Sequence, residues 1–222
     1  MLKVSEYATL IFDCDGVILD SNSIKTEAFY RSVLPYGRIL ASAMVDYHIE
    51  HQGVSRYKKF TYFLQQLAPE KINNNWESEL GSLLKAYSDY VREGLMACEI
   101  APNLAALRQK FSSSRWLIVS GGDQSELREI FSLRGIADLF DGGIFGSPDT
   151  KYEILQREIT AGNILGPALF IGDSKLDFKA AVSADLDFLF LYGWSDVVDW
   201  GDWVKSNDIN YDISLGSLVD ER

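Results

Sequence analysis

The chain has 222 residues, of which 47% are hydrophobic and 24% charged, which is an ordinary balance for a globular protein with a sizeable core. Its net charge of −11 disfavours nucleic acid and anionic membranes as partners, because both select for basic surfaces. The two cysteines, Cys14 and Cys98, provide neither a disulfide framework nor a metal-type spacing, and His48 and His51 alone are weak support for zinc. The sequence has no run of about eighteen apolar residues and no leader pattern, so we expect a cytoplasmic protein.

The apolar run at 10–12 is typical of a buried parallel strand, and two aspartates follow it. Side chains alternate along an extended chain, so Asp13 and Asp15 should point the same way. Carboxylates this close raise one another's pKa unless a cation neutralises them, and Gly16 then permits a sharp turn. The stretch predicts either a metal site or a catalytic acid and base. The alternative, a polar turn after a core strand, stays open on this motif alone.

The segment 19–96 predicts four helices with no strand between them. Tyr57, Phe60 and Phe63 recur at helical spacing, which favours a place in the core of a helical bundle over a platform for a ligand. Asn75 is suited to cap the fourth helix. We therefore expect a small helical bundle inserted after the first strand.

From residue 102 onward, predicted helices alternate with short apolar strands. The strands are expected at 116–119, 143–145, 168–171, 188–192 and 211–213. Capping boxes are predicted at three helix starts: Asp123 with Glu126, Thr150 with Glu153, and Ser174 with Asp177. This alternation predicts an α/β fold with a parallel sheet, in which ligands bind beyond the carboxyl ends of the strands.

Four short motifs stand at such positions. They are Asp13-Cys14-Asp15-Gly16-Val17, then Ile118-Val119-Ser120-Gly121, then Lys151 at a helix start, then Gly172-Asp173-Ser174-Lys175-Leu176-Asp177. In this order the chain resembles the haloacid dehalogenase-like superfamily, specifically its phosphatases with a helical cap, such as phosphoglycolate phosphatase and the related β-phosphoglucomutase. The resemblance covers nearly the whole chain. It implies a Rossmann-like three-layer catalytic core at 1–18 and 97–222, with an all-helical cap domain at 19–96.

The resemblance also implies roles for the acidic residues. Asp13 would be the nucleophile, and Asp15 would protonate the leaving oxygen and later deprotonate the attacking water. Asp13, the Asp15 carbonyl and Asp173 would bind Mg²⁺, with Asp177 assisting from the outer shell. A capping role alone is the alternative for Asp177.

Three further residues would hold the phosphoryl group. Ser120 and Gly121 would offer a hydroxyl and backbone amides to the phosphate oxygens. Lys151 at a helix N-terminus opposes the helix dipole by some tenths of a kcal/mol. A lysine at a helix N-terminus, where the dipole disfavours it, indicates a functional role. Here that role would be to neutralise Asp13 and the phosphate.

Together these implications predict a magnesium-dependent hydrolase of a small phosphomonoester, such as a sugar phosphate or a phosphoglycolate-like metabolite, acting through an aspartyl phosphate. One alternative is a phosphomutase of the β-phosphoglucomutase type, and another is a non-catalytic binding module on the same fold. A dehalogenase is disfavoured because those relatives lack a carboxylate at the position of Asp15. Phosphonate cleavage would need a cap lysine that forms an imine, and Lys25, Lys58 and Lys59 are present in the predicted cap.

The leaving group should be recognised by the cap. The loop at 51–56 lies between two predicted helices, and Arg56 supplies a fixed cation able to hold a carboxylate, a hydroxyl or a second phosphate. The alternative is that Arg56 begins the next helix and faces solvent. The expected partner is a small phosphorylated metabolite, with neither nucleic acid nor membrane involved.

Overall fold

The computed structural model describes residues 3–51, 53–71 and 75–219 and confirms the α/β class. Within these residues six parallel strands form one sheet: β1 (Thr9–Phe12), β2 (Arg115–Asp123), β3 (Gly143–Ser147), β4 (Ala168–Gly172), β5 (Asp187–Leu191) and β6 (Asn210–Asp212). Their order across the sheet is β3-β2-β1-β4-β5-β6. Strands β2 and β3 therefore lie on one side of β1, and β4, β5 and β6 lie on the other, so the strand order reverses at β1. In parallel sheets, ligands bind at the carboxyl ends of the strands next to such a reversal.

The register of the central strands decides which residues meet. Phe12 pairs with Ile118 of β2 on one side and with Ile171 of β4 on the other. The residues that follow these three positions therefore reach the same edge of the sheet. This places Asp13 beside the ends of β2 and β4, as the sequence predicts.

The described residues of the segment 19–96 contain helices and no named strand. The α-helices of this segment are α1 (Asn22–Val33), α2 (Arg38–Glu50), α3 (Arg56–Tyr62) and α4 (Trp76–Ala97), where α4 ends one residue past it. A π-helical turn, Phe63–Leu67, continues α3, and the Asn75 side chain accepts a hydrogen bond from Ser78 N at the start of α4. Phe60 and Phe63 are fully buried, which confirms their place in the bundle core. Tyr57 was wrongly predicted there, since it is only partly buried and its hydroxyl donates to Asp123.

The remaining helices cover the two faces of the sheet. They are α5 (Leu104–Lys110), α6 (Gln124–Leu133), α7 (Lys151–Thr160), α8 (Lys175–Ser183) and α9 (Trp200–Ser206). The buried apolar side chains form two hydrophobic clusters. Leu10 and Phe12 of β1 belong to one cluster, and Ile11, which points to the other face of the sheet, belongs to the second. This alternation gives the three-layer core expected of the fold. Among the described residues no helix is long and apolar enough to cross a membrane.

Two local predictions needed correction. Strand β2 continues to Asp123 and not only to 119, so the polar loop predicted after it forms the end of the strand. The capping box predicted at Asp123 is only half formed, because Asp123 accepts a hydrogen bond from Glu126 N while the Glu126 carboxylate binds Arg56. The boxes predicted at Thr150 and Ser174 are both complete.

Candidate active site

The two aspartates after β1 lie in one cavity but have different partners. Asp13 is 4% exposed, and its Oδ1 accepts a 2.7 Å hydrogen bond from Cys14 N. Asp15 accepts from Ser21 Oγ at 2.6 Å and from Lys25 Nζ at 2.5 Å. Burial would raise the pKa of Asp15, but the charge of Lys25 and the hydrogen bonds from Lys25 and Ser21 lower it below its usual value. Asp15 is therefore held as a carboxylate.

Lys151, the first residue of α7, connects two of the predicted site residues. Its side chain is buried, and Nζ lies 2.8 Å from Asp13 Oδ2 and also contacts Asp177 Oδ1. The helix dipole opposes a lysine at this end by only some tenths of a kcal/mol, whereas two buried carboxylates attract it strongly. These contacts account for a lysine at a position its local preference disfavours.

Three buried carboxylates form a compact cluster at the ends of β1 and β4. Asp13, Asp173 and Asp177 each offer an oxygen, and these oxygens lie within 4.8 Å of one another. Burial raises the pKa values of Asp13 and Asp173, and neighbouring carboxylates raise them further. Such a set of oxygen donors with excess negative charge fits a hard divalent cation.

Asp177 caps α8, which is one of the two roles that the sequence offered for it, and it also contacts Lys151; its outer-shell role toward a metal stays a prediction. Its Oδ2 accepts hydrogen bonds from Ser174 N at 3.1 Å and Ser174 Oγ at 2.6 Å, which caps α8. Its Oδ1 meanwhile accepts from Lys151. The side chain of Asp15 does not join the carboxylate cluster in the described residues, and its expected metal contact through the backbone carbonyl stays a prediction.

Gly16 permits the close approach of β1 and the loop after β4. Its φ is +71°, and a Cβ atom there would lie 2.0 Å from Asp173 Oδ2. Asn22, at the start of α1, donates to the same oxygen at 2.8 Å. Only glycine fits here, so Gly16 helps to position Asp173.

The end of β2 provides the opposite wall of the cavity. Gly121 and Gly122 line it, whereas Ser120 is fully buried behind them and its Oγ accepts a 3.0 Å hydrogen bond from Gly122 N. A Cβ atom on Gly121 would lie 2.1 Å from the carbonyl oxygen of Gly53, in the loop before α3. The helical segment therefore rests directly on the backbone of this strand end.

Arg56 lines the cavity as predicted, but its charge is already paired. It is 7% exposed, which excludes the alternative that it faces solvent. Its Nη1 lies 3.1 Å from Glu126 Oε2 and 3.1 Å from Ser88 Oγ, and its Nη2 lies 3.6 Å from Asp123 Oδ2. The Tyr57 hydroxyl also donates to Asp123 at 2.5 Å. These contacts join α3 to α6. Gln52, within the same predicted loop, lies outside the described residues.

Three basic residues that line the cavity are Lys25, His48 and Lys59. From the sequence alone, the two lysines are candidates only for imine formation, and His48 is only weak support for zinc. Burial, followed by the charges of Lys59 and Lys25, lowers the pKa of His48 to about 2, so its ring is neutral. A signal was present, because Lys25 shares a buried helix face with Ala28 and Phe29, and Lys59 precedes the buried Phe60. Neither His48 nor His51 belongs to the metal-capable cluster of the described residues.

Comparisons with known proteins identify the family and the fold. A model of the haloacid dehalogenase-like hydrolase family matches residues 7–185. Similar solved structures include a predicted phosphatase from Clostridium acetobutylicum, with a TM-score of 0.71, 17% identity and 96% of each chain covered. A predicted phosphoglycolate phosphatase from Haemophilus somnus has a TM-score of 0.70 and 17% identity, covering 97% of this chain and 98% of that one. The β-phosphoglucomutase from Clostridium difficile has a TM-score of 0.70 and 18% identity, covering 95% of this chain and 92% of that one.

A comparison with curated protein sequences found no match. At these identities the solved structures establish the fold, and they do so over nearly the full length of each chain. The family match confirms the resemblance drawn from the four sequence motifs.

Proposed function

Because the chain belongs to the haloacid dehalogenase-like hydrolase family, we propose that it hydrolyses a small phosphomonoester, such as a sugar phosphate or a phosphoglycolate-like metabolite, through a phosphorylated Asp13. One observation carries the proposal. The buried Asp13 carboxylate lies 2.8 Å from the Lys151 ammonium and within 4.8 Å of ligand oxygens of Asp173 and Asp177. One ammonium among three buried carboxylates leaves negative charge that a phosphate dianion would only increase. The arrangement therefore calls for a further cation.

Magnesium suits this donor set, because it is hard, prefers oxygen ligands and is held by few carboxylates together with substrate phosphate. Asp13 and Asp173 would hold it with the Asp15 carbonyl, and Asp177 would act through the outer shell. When bound, magnesium would offset the repulsion between phosphate and carboxylate and stabilise charge in the transition state.

In the first step a carboxylate oxygen of Asp13 attacks phosphorus, the bond from phosphorus to the leaving oxygen breaks, and that oxygen receives a proton from Asp15. Lys151 orients Asp13 and neutralises charge beside it. The Gly121 amide and the Ser120 hydroxyl are proposed to bind phosphate oxygens at the end of β2. This step requires protonated Asp15, so we propose that its pair with Lys25 opens when substrate binds.

In the second step water attacks phosphorus, the bond to Asp13 breaks, and Asp15 takes the proton from the water. The products are an alcohol and inorganic phosphate. Asp15 can take this base role because it gave its proton to the leaving oxygen in the first step and is therefore a carboxylate when water attacks.

We propose that residues 19–96 act as a cap on a core formed by 1–18 and 97–222. The close approach of Gly53 to Gly121 and the ion pair between Arg56 and Glu126 support this division. The cavity between these segments measures about 60 Å³, a few times what one water occupies on the same measure. Substrate would therefore enter when the cap opens, and closure would exclude water and bring Arg56 to the leaving group.

The deciding experiment is a phosphomonoester panel assayed for inorganic phosphate, with magnesium and after chelation. We expect turnover that disappears with chelator and returns with magnesium. Full turnover after exhaustive chelation would contradict the magnesium mechanism. Isomerisation of a sugar phosphate without release of phosphate would indicate the mutase alternative, and metal binding without any turnover would indicate a binding module.

A further inference from the structure

Lys59, on α3, is a buried lysine without a carboxylate partner. Its side chain is 1% exposed, yet the residue lines the cavity that contains Asp13 and Asp15. Nζ lies 2.6 Å from His48 Nδ1 and 3.4 Å from the His48 carbonyl oxygen, with the Phe29 ring centroid 5.3 Å away. Within the described residues no carboxylate oxygen lies within 4.0 Å of it.

The other cations of the site differ in this respect. Their partners are Asp15 for Lys25, Asp13 and Asp177 for Lys151, and Glu126 and Asp123 for Arg56. Burying a charge is unfavourable unless the charge is paired, and this protein has an excess of acidic residues that could supply a partner. The place opposite Lys59 is therefore suited to an anion that the protein does not itself provide.

A chain of hydrogen bonds holds the Lys59 ammonium in position. The neutral His48 ring accepts from Lys59 at Nδ1 and donates from Nε2 to Thr26 Oγ1, 3.1 Å away. The Thr26 hydroxyl in turn donates to the Asn22 carbonyl oxygen at 3.0 Å. This chain assigns the tautomer of His48 and links Lys59 to the first turns of α1. Burial and the charge of Lys25 lower the pKa of Lys59 to about 7, although the charge of Asp15 opposes this shift, and a bound anion would raise the pKa further.

We propose that Lys59, positioned by His48, binds a second anionic group on the leaving-group part of the substrate. The inference rests on the proposed phosphomonoester hydrolysis and narrows its substrate to molecules that carry a carboxylate or a second phosphate. Lys59 is better placed for this role than Arg56, whose charge Glu126 and Asp123 already pair. The small cavity favours a short leaving group.

The test compares substrates that differ only in the second anion. One set is glycerol 3-phosphate, 3-phosphoglycerate and glycerol 1,3-bisphosphate. A longer set is glucitol 6-phosphate, 6-phosphogluconate and glucitol 1,6-bisphosphate, and p-nitrophenyl phosphate is common to both. The variants are Lys59→Met and, as a matched control, Lys58→Met, which removes the same charge from the exposed neighbouring residue.

We expect the unmodified protein to prefer a carboxylate or bisphosphate member in at least one set, and the preferred member identifies the kind of anion. Lys59→Met should lower kcat/KM for that member by about 10- to 100-fold, the value of a charge-assisted hydrogen bond, and leave the neutral member and the aryl phosphate within about threefold. Lys58→Met should change none of them, and Lys59→Arg should retain part of the preference.

Two results would overturn the inference without contradicting the proposed phosphomonoester hydrolysis. One is that the unmodified protein shows no preference for the anionic members, and the other is that folded Lys59→Met loses activity equally on every substrate. If Lys59→Met does not fold, Lys59→Gln replaces it. Reductive trapping of Lys59 by borohydride with an aldehyde-bearing phosphonate would instead assign its amine to imine formation and also overturn the inference.

Absence of turnover on all members would refute the proposed hydrolysis itself. The inference is then decided by calorimetric binding of the same compounds to Asp13→Asn with magnesium, with and without Lys59→Met. Tighter binding of an anionic member that disappears with Lys59→Met would support the anion site, and equal binding would overturn it.

Discussion

Replacing Asp13 with asparagine should abolish turnover and, in the absence of metal, stabilise the protein at neutral pH. The amide keeps the shape of the side chain but cannot act as a nucleophile. It also removes one of three carboxylates whose oxygens lie within 4.8 Å of one another in the core. Without a cation, the repulsion among these carboxylates should lower the free energy of unfolding. The difference in unfolding free energy between this variant and the unmodified protein measures that effect.

The magnitude follows from the pKa of Asp13. Burial raises this pKa from 3.8 to about 7; Lys151 opposes the rise, and Asp177 and Asp15 add to it. Because the folded pKa lies above the unfolded one, the group's stabilising contribution is complete below about pH 4 and is lost as pH rises through about 7. A shift of roughly three pKa units corresponds to at most about 4 kcal/mol. Losing the contact with Lys151 acts in the opposite direction, so we expect a net gain of about 1–3 kcal/mol at pH 8.

The measurement is urea unfolding in EDTA at intervals from pH 4 to 8. Relative to the unmodified protein, Asp13→Asn should gain stability progressively as pH rises across this range. Other titrating groups, such as His48, whose lowered pKa makes stability rise with pH, are common to both proteins and cancel in the difference. Asp202→Asn, at an exposed position, is the matched control and should follow the unmodified protein. Added magnesium should stabilise the unmodified protein more than Asp13→Asn. An identical pH profile for both proteins, or turnover by Asp13→Asn, would refute the reasoning.

Other substitutions test the remaining assignments. Asp15→Asn should slow both formation and hydrolysis of the phosphoenzyme by about 10²- to 10⁴-fold in rapid-quench experiments, and it should also lower the melting temperature, because the buried Lys25 ammonium loses its carboxylate partner. Unchanged single-turnover rates would remove Asp15 from the chemistry. Lys151→Met should abolish turnover and also reduce the unfolding free energy by about 3–5 kcal/mol in denaturant titrations, because it leaves buried carboxylates unpaired; a loss of stability with activity retained would make Lys151 purely structural. Arg56→Ala should lower kcat/KM on a phosphorylated metabolite more than on an aryl phosphate and reduce stability by about 2 kcal/mol; equal losses on both substrates would assign Arg56 to closing the cap.

Much of the core could be predicted because its residues follow local rules. The apolar run of β1, the glycine after the second aspartate and the capping boxes at Thr150 and Ser174 are each short-range patterns. Lys151 was the most informative single residue, because its conflict with the helix dipole pointed to a partner outside its own helix. The structure shows that partner to be a pair of buried carboxylates, Asp13 and Asp177.

The predictions that failed involve competition between local and distant partners. Glu126 stands where a capping box would use it, but the Arg56 guanidinium from another helix is the stronger attraction for its carboxylate. Strand β2 extends to Asp123 because it gains a partner in β3, Ser147, that no local pattern indicates. Such contacts depend on which helices and strands the fold brings together, and the local patterns of one sequence do not specify those pairings.

The distribution of charge in the cavity also explains how an acidic protein could bind an anionic substrate. The net charge of −11 would repel anions in bulk solvent, but salt screens this repulsion over about 8 Å at physiological ionic strength. Inside the cavity the local groups dominate, and they differ between the two walls: carboxylates come mainly from the strand ends, whereas Lys25, Lys59 and Arg56 come from the helical segment. Opening the helical segment would separate these two sets of charges, and closing it on a substrate with a phosphoryl group at one end and a second anion at the other would satisfy both. Under the proposed function, a substrate with two anionic ends would match both sets of charges, whereas one with a phosphoryl group alone would match only the groups at the strand ends.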